Sequence, residues 1–253
     1  MELHLIHFII ICPLVFLAGF VDAIAGGGGL ISLPAYMIAG LPVHNAVATN
    51  KMSACMGTFL TTGRFAKNGY IAWKNAIFYM IAALIGSSLG AKLALHLDDH
   101  FFKILMLVIL PLTGIYIMFG KAFTESKEEP LTKKAILLTT IISFAIGIYG
   151  GFYGPGTGTF LLLLLTGITH LNLQKANGIT KAINSATNLA ALLVYLYSGT
   201  IFLLLGITAG IFGMAGNYAG SKCFDKGGTK FVKPLMIIVL VIFFVKTLNE
   251  LLA

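Results

Sequence analysis

The sequence predicts an all-α integral membrane protein made of two inverted-topology repeats, with about 8–10 membrane segments that include short broken helices. Three observations support this fold class. Of the 253 residues, 58% are hydrophobic and 10% are charged, a composition that belongs in lipid. Long stretches carry no charge, and the two halves share a pattern of glycines and lysines at a fixed offset. An odd number of segments in each half would make the halves insert in opposite orientations.

Charge-free stretches indicate where the chain crosses the membrane. They cover residues 23–50, 75–91, 104–120, 135–174 and 182–221. A crossing needs about 20 predominantly apolar residues, so the last two stretches are long enough for two crossings each. The first 21 residues lack Lys and Arg and are followed by Asp22 and glycines, not by an Ala-x-Ala cleavage pattern. We therefore expect a retained helix here and not a signal peptide.

The net charge of +8 has an explanation within a membrane. Most lysines flank apolar segments, as the positive-inside rule requires, and we expect no nucleic-acid partner. Cys12, Cys55 and Cys223 lie far apart without metal-ligand spacing. Their spacing favours ordinary packing over a thiol or zinc role.

An internal repeat relates the two halves of the chain. An offset of 130 positions superposes Lys51 on Lys181, Gly86 on Gly216, Gly90 on Gly220 and Lys92 on Lys222. Nearer the start of each half, an offset of 128 aligns the glycine cluster 26–29 with residues 154–157. The repeated Gly-x-x-x-Gly spacing allows two helices to approach closely in lipid.

Each half divides into five predicted segments. They are 3–24, 28–40, 44–63, 70–95 and 101–120, then 134–152, 156–169, 175–197, 200–221 and 231–252. The second segment of each half is short. At 1.5 Å per residue it covers about 20 Å, too little for a perpendicular crossing of a core about 30 Å thick. We expect these two segments to be half-helices or broken spans.

Charges in corresponding loops support the inverted orientation. The turn after the third segment carries Arg64, Lys67 and Lys74 in the first half, whereas its counterpart at 195–202 carries no charge. The predicted cytoplasmic loops are 64–74, 121–134 and 222–233, with both termini on the outer side. The predicted organisation is a first transmembrane repeat at 1–121, a cytoplasmic linker at 122–133 and a second, inverted transmembrane repeat at 134–253.

Two glycine clusters interrupt apolar segments, at 26–29 and at 154–159. Irregular backbone at membrane depth is tolerated only when it is buried in protein or lines a cavity. The helix that restarts after each cluster directs free amides and a positive dipole end toward the gap, which suits an anion. The candidate substrate-binding residues in these clusters are Gly27, Gly28, Gly29, Gly156, Thr157 and Thr159. The alternative is that the glycines only permit tight helix crossing.

A lysine occupies the corresponding position in the third segment of each half. Ionisable residues inside a membrane are costly and usually face a polar interior. Lys51 and Lys181 therefore resemble an anion-attracting pair around a pseudo-two-fold axis. Polar neighbours add six candidate substrate-binding residues: Thr49, Asn50, Ser53, Thr180, Asn184 and Asn188. The alternative is that each lysine extends along its long stem to a nearby interface.

Asp22 is a carboxylate inside an apolar run, and its repeat equivalent is Gly150. Asp22 is a candidate ion-coupling residue that would bind a proton or a cation. The alternative, slightly favoured because unpaired charges are so costly in lipid, is a structural ion pair that neutralises Lys51.

The predicted segments lack the residues that an intramembrane enzyme would usually need. An intramembrane enzyme would be expected to place paired carboxylates or a His/Glu metal set within the spans, and the sequence offers neither. Neither glycine cluster has the spacing of a Walker phosphate loop. We therefore predict no catalytic residue, no metal and no cofactor.

Together these features resemble the sulfite exporter TauE/SafE family of prokaryotic and plant membrane proteins. The resemblance covers nearly the whole chain and rests on the order of Gly19 to Gly29, Ala48-Thr49-Asn50-Lys51, the basic turn Arg64 to Trp73, Gly147 to Gly158, Gly178 to Asn188 and Tyr195-x-x-x-Gly199. It implies export or uptake of small sulfur-containing or carboxylate anions, such as sulfite, sulfoacetate or organosulfonates, driven by an ion gradient. The second copy departs from the Gly-Thr-Ser expected of the family by having Gly178-Ile179-Thr180-Lys181, which adds a positive charge.

We therefore expect a secondary active transporter that moves a small anion across the cell (inner) membrane as a multi-pass protein, by alternating access. Its expected partners are the anion, a coupling proton or cation and membrane lipid, and the chain is also a candidate homodimer. A passive anion channel is the alternative, since inverted repeats occur in channels as well.

Overall fold

The computed structural model describes residues 3–98, 132–169 and 171–226, together with His100, Phe102, Ile104, Val108 and Leu112. These residues form eight α-helices, and no strand occurs among them. The helices are α1 (Leu5–Ala25), α2 (Gly29–Ile38), α3 (Val43–Lys67), α4 (Trp73–Ala94), α5 (Lys133–Phe152), α6 (Thr157–Thr169), α7 (Leu173–Tyr197) and α8 (Leu203–Asp225). Most of the predicted segment 101–120, most of the linker 122–133 and all of the segment 231–252 lie outside the described residues.

The helices fall into two length classes that match the predicted segments. By length and composition, α1, α4, α5 and α8 could each cross a membrane. In contrast, α2 has 10 residues and α6 has 13, which correspond to about 15 Å and 20 Å and are shorter than a hydrocarbon core. The second segment of each half is therefore short, as predicted.

The described residues place apolar side chains on the outside and polar side chains at the centre. Large exposed hydrophobic side chains cover α4, α5 and α8, for example Ile81, Ile85, Leu89, Leu137, Ile141, Leu204 and Ile211. The central helices α3 and α7 bury polar side chains such as Asn50, Asn177 and Thr187. This is the distribution expected of a helical protein in lipid, where polar groups must find partners inside the bundle.

The Gly-x-x-x-Gly motifs form the tight helix contacts that the sequence predicts. One motif lies where α4 packs on α5, and the other lies where α8 packs on α1. A Cβ added at any of these glycines would collide with a backbone carbonyl across the interface: Gly86 with Phe144, Gly90 with Ile148, Gly216 with Phe16 and Gly220 with Phe20. Only glycine allows the two backbones to come this close.

These contacts also show that the two halves pack in equivalent ways. Exchanging the halves turns the α1–α8 contact into the α5–α4 contact, and the α3–α8 contact into the α7–α4 contact. The contacting residues correspond by the same offsets of 128 and 130 that the sequence shows. The inversion of the halves relative to the bilayer stays a prediction that rests on the loop charges.

Glycines with positive φ end α1 and α5. Gly26 follows α1 with φ of 73° and donates its amide to the Asp22 carbonyl at 2.8 Å. Gly154 follows α5 with φ of 100° and donates to the Tyr149 carbonyl at 3.2 Å. A left-handed residue at this position ends a helix, and glycine adopts it without a Cβ penalty.

The glycine contacts generate a stability prediction. Gly90→Ala should lower the free energy of unfolding by about 1–3 kcal/mol, because the new methyl group has no room against Ile148. Gly63→Ala is the matched control, since nothing lies within 4 Å of a Cβ at this exposed position of α3. Alanine favours a helix over glycine there. Equal melting temperatures of the two detergent-purified variants would contradict the proposed packing.

Candidate functional site

A cavity of about 60 Å³ lies where the two glycine breaks meet α3 and α7. It has room for several water molecules or a small ion. Backbone of both glycine clusters forms part of its wall, through Gly26, Gly28, Gly29, Gly154 and Gly158. The polar side chains that line it are Asp22, Ser32, Asn50, Lys51, Ser53, Thr58, Thr157, Asn184, Thr187, Asn188 and Asn217.

Lys51 brings a positive charge to this cavity. Its residue is 3% exposed and lies about 12 Å along α3 from Val43. The ammonium donates to the Gly150 carbonyl at 2.5 Å and to Asn188 Oδ1 at 3.4 Å. Within the described part of the chain no carboxylate pairs with Lys51. Its charge is therefore held by neutral acceptors alone.

Lys181 occupies the corresponding position of α7 but has a different environment. It is fully buried, and its ammonium forms a 2.8 Å ion pair with Asp22 Oδ2. The same ammonium also donates to the Asp22 backbone carbonyl. Asp22 itself lines the cavity with a side chain that is 14% exposed. Asp22 thus both lines the cavity and pairs with Lys181, which is not part of the lining.

The two lysines make one contact in common and differ in another. Each ammonium reaches a backbone carbonyl in the last turn of a helix from the other half, Gly150 for Lys51 and Asp22 for Lys181. Gly150 and Asp22 are repeat equivalents at the offset of 128. Because Gly150 has no side chain, only Lys181 gains a carboxylate. The cavity and its lysine pair therefore carry two positive charges and one negative charge.

The starts of α2 and α6 lie at the cavity wall. Gly28 and Gly29 line the cavity at the start of α2, where no side chain caps the helix. Thr157 and Gly158 line it at the start of α6. The first amides of a helix lack intrahelical acceptors and carry the positive end of the dipole. Both helix starts therefore favour a negative group in the cavity.

Gly154 packs directly against the ammonium group of Lys51. A Cβ at this position would lie 2.6 Å from the Lys51 ammonium nitrogen. Its φ of 100° also disfavours any other residue. Glycine at 154 thus serves both the helix break and the placement of the lysine.

Two asparagines at the cavity have buried oxygens without a partner. Within the described residues, Asn50 Oδ1 and Asn184 Oδ1 accept no hydrogen bond. By contrast, Asn217 accepts from Thr61 at 2.7 Å and donates to the Gly213 carbonyl at 3.0 Å. A buried polar atom without a partner costs about 1–3 kcal/mol. Such atoms in a native fold call for a reason such as a ligand.

A second polar cluster lies at one end of the bundle, away from the cavity. The Asp225 carboxylate accepts from Arg64 at 3.3 Å, from Tyr70 at 3.2 Å and from Asn68 at 3.4 Å. Burial and the adjacent Asp225 carboxylate raise the pKa of Tyr70 above its usual value. Tyr70 therefore remains protonated as a donor, and the cluster joins the end of α3 to the end of α8.

The described residues contain no group of three or more His, Cys, Asp or Glu side chains that could hold a metal ion. Cys12, Cys55 and Cys223 form no disulfide within the described part of the chain.

Comparison with known proteins identifies the family. The sequence profile described as sulfite exporter TauE/SafE matches residues 11–247. The chain belongs to the sulfite exporter TauE/SafE family. It is therefore a membrane transporter of that family, and the resemblance seen in the sequence is confirmed.

Curated relatives of this TauE/SafE protein carry transporter names. A probable membrane transporter protein ORF9 from Sinorhizobium sp is 30% identical over 98% of this chain and 94% of its own length. A probable membrane transporter protein from Haemophilus influenzae is 32% identical over 88% of each chain. The probable membrane transporter protein YfcA of Escherichia coli K12 is 29% identical over 92% of this chain and 87% of its own length. No solved structure matches the chain.

The structure brings together nine of the residues proposed from the sequence. Asp22, Gly28, Gly29, Asn50, Lys51, Ser53, Thr157, Asn184 and Asn188 line the cavity of this TauE/SafE protein. The other six, Gly27, Thr49, Gly156, Thr159, Thr180 and Lys181, are not part of its lining. Thr49 accepts from the Phe202 amide, Thr159 donates to the Ala25 carbonyl, and Thr180 is buried without a hydroxyl partner among the described residues. The role of these residues in substrate binding stays a prediction.

The predicted ion pair has a different partner. The sequence favoured a pair between Asp22 and Lys51, and this was wrong, since Asp22 pairs with Lys181. The reason lies in how the halves cross. Lys51 reaches Gly150 in the last turn of α5, while the end of α1 presents Asp22 to α7. Neither lysine extends to an interface, because both bind carbonyls inside the bundle.

Several lining residues were missing from the sequence prediction. They are Val15, Ala18, Gly19, Ala54, Thr58, Gly213 and Asn217. Asn217 carries the one usable signal, because it is an amide within the charge-free stretch 182–221. The others are small or apolar residues of α1, α3 and α8. Nothing in their local sequence separates them from ordinary helix-packing positions.

The ion pair predicts non-additive stability. Lys181→Met should destabilise the protein by about 3–5 kcal/mol, because it leaves a carboxylate unpaired in the interior. Adding Asp22→Asn should recover part of that loss. Arg64→Gln, at the half-exposed pair with Asp225, is the control and should cost about 0–1 kcal/mol. The double-mutant cycle is measured by thermal unfolding in detergent, and a double variant no more stable than Lys181→Met would contradict the pairing.

Proposed function

We infer that this TauE/SafE protein is a secondary active transporter that binds one small anion in the cavity. The observation that carries the proposal is the position of Lys51. It is a buried ammonium at the cavity wall that has only neutral acceptors among the described residues. Removing an ammonium from water costs several kcal/mol, which a counter-charge offsets. A bound anion would provide that counter-charge.

The charges of the site support a singly charged anion. Asp22 and Lys181 neutralise each other across 2.8 Å, which leaves the charge of Lys51. While Asp22 is ionised, one negative charge in the cavity therefore balances the charge of Lys51. In a medium of low dielectric constant the attraction between Lys51 and this anion is strong.

The neutral lining is suited to an oxyanion. The starts of α2 and α6 place the positive ends of two helix dipoles at the cavity. The amide groups of Asn50 and Asn184 offer further polar atoms, whereas the Ser53 and Thr157 hydroxyls already donate to the Asn50 and Gly154 carbonyls. The nitrogen and oxygen ends of an asparagine amide are exchanged by a simple rotation, so these side chains can turn donors to the anion. Sulfite in its singly protonated form, an organosulfonate or a related carboxylate would each present several oxygens to such donors. The family description, sulfite exporter, supports this substrate class.

The proposed mechanism is alternating access. The two halves pack in equivalent ways, and the cavity lies where the broken helices of both halves meet the central helices. Carriers of this architecture expose a fixed site to each side in turn by rocking one repeat against the other. In this proposal the chain is a multi-pass protein of the cell (inner) membrane with inverted halves, and an ion gradient drives the transport. Bilayer lipid surrounds it, and two copies would form a homodimer.

Lys51→Met tests the proposal because it keeps the apolar stem and removes the charge. We expect sulfite and ethanesulfonate to stabilise the wild type against heating, by about 2.7 kcal/mol at a concentration 100-fold above the dissociation constant. Lys51→Met should lose this stabilisation and the uptake of ³⁵S-labelled ethanesulfonate into proteoliposomes. Lys74→Met removes an exposed lysine at the start of α4 and should behave as the wild type.

Two outcomes would count against the proposal. Lys51→Met variants with undiminished binding and flux would remove Lys51 from the site. Wild-type flux that rises linearly with concentration and shows no counterflow would favour the passive anion channel, because only a carrier saturates and exchanges labelled for unlabelled anion.

A further inference from the structure

We propose that Asp22 takes up a proton when the anion binds, and that the proton and the anion are carried together. This inference rests on the proposed function and assigns its coupling ion. The geometry behind it is a competition for Lys181. In the described structure Asp22 lines the cavity, and its carboxylate pairs with the Lys181 ammonium at 2.8 Å.

The two protonation states of the Asp22 carboxylate affect a bound anion in opposite ways. With Asp22 ionised, its charge is within the same small cavity that receives the anion, and the two negative charges repel each other. With Asp22 protonated, this repulsion disappears. The ammonium of Lys181 then has no anionic partner in the protein and adds its attraction to that of Lys51.

The side chains of Asp22 and Lys181 differ in their exposure. The Asp22 side chain is 14% exposed, whereas the Lys181 side chain is fully buried. Asp22 is therefore in contact with the cavity, whereas Lys181 is not part of its lining. An anion bound in the cavity therefore acts on the Asp22 carboxylate more directly than on Lys181.

The two halves of the repeat differ in the residue that contacts the buried lysine. Both lysines bind an equivalent backbone carbonyl, at Gly150 and at Asp22. The ammonium contact that both halves share does not need a carboxylate, because Lys51 manages without one. The Asp22 side chain is thus an addition to a structural contact that already holds the lysine, which favours a role beyond folding.

Among the described residues that face Asp22, no other group is suited to carry the proton. The helices that pack on α1 contribute Lys51 from α3, Lys181 from α7 and Tyr36 from α2, whose hydroxyl donates to Ser53 at 2.9 Å. Cys55 of α3 lies near Lys51. The described helix α6 contains no titratable residue, and α8 lines the cavity with Gly213 and Asn217. Asp22 is the one carboxylate among the described lining residues.

The proton balance is simple. Asp22 accepts one proton from water on the side where the anion enters, and the neutral acid releases it on the other side as the anion leaves and the ion pair with Lys181 forms again. Binding of proton and anion favour each other by the same factor, as linkage requires. An empty carrier returns with Asp22 ionised and paired. The direction of net movement follows the sum of the two gradients.

The experiment measures the dissociation constant of ethanesulfonate from pH 5 to pH 8 by thermal shift on the detergent-purified full chain. A sulfonate keeps its charge over this range, so a change in affinity belongs to the protein. The wild type should bind more tightly at lower pH, by up to about tenfold per pH unit. Asp22→Glu should keep this dependence, and Asp22→Asn should lose it. Asp225→Asn removes a carboxylate outside the cavity and should keep the wild-type slope.

A transport measurement on the wild type stands independently of any variant. In proteoliposomes with pyranine inside, an acidic exterior should accelerate ethanesulfonate uptake, and uptake should acidify the lumen. Uptake and binding that ignore pH in the wild type, or a pH slope that survives in Asp22→Asn, would overturn proton coupling while leaving the carrier intact. Absence of wild-type binding and uptake at every pH would overturn the proposed function and this inference together.

Discussion

Each half of the molecule buries a lysine and anchors it on the broken helix of the other half. A buried ammonium is costly unless hydrogen bonds and a favourable potential surround it. Lys51 of α3 finds both at the end of α5, and Lys181 of α7 finds both at the end of α1. The last carbonyls of a helix carry the negative end of its dipole. The helix ends therefore stabilise the lysines, although the Asp22 carbonyl already accepts the Gly26 amide.

The helix breaks after α1 and α5 also place the positive starts of two short helices next to the cavity. After Gly26 the chain restarts as α2, and after Gly154 it restarts as α6. The positive starts of these short helices meet the cavity, whereas the negative ends of α1 and α5 hold the lysines behind or beside it. A continuous helix would offer neither end at this depth. The glycines thus create a site from backbone that regular membrane helices keep fully paired.

Local signals in the sequence predicted most of the fold. Hydropathy, glycine clusters and the repeat located the described helices, the two breaks and both lysines, because each of these leaves a trace within a few residues. The partner of Asp22 left no such trace. Whether its carboxylate meets Lys51 or Lys181 depends on how α1 of one half crosses α7 of the other. Thr58 was missed for the same reason, since its place at the cavity follows from packing between halves.

The departures from symmetry at the site are more informative than the symmetry. Thr58 and Asn188 occupy corresponding positions of the two halves, contact each other at 3.5 Å and both line the cavity. A site with identical halves would place two uncompensated ammonium groups near this cavity, and their mutual repulsion would add to the cost of burying them. Asp22 removes one of these charges and Asn188 accepts from the other. The duplicated scaffold thereby acquires one lysine that is open to the cavity and one that a carboxylate covers, which is the minimum asymmetry needed for a site that binds a single negative charge.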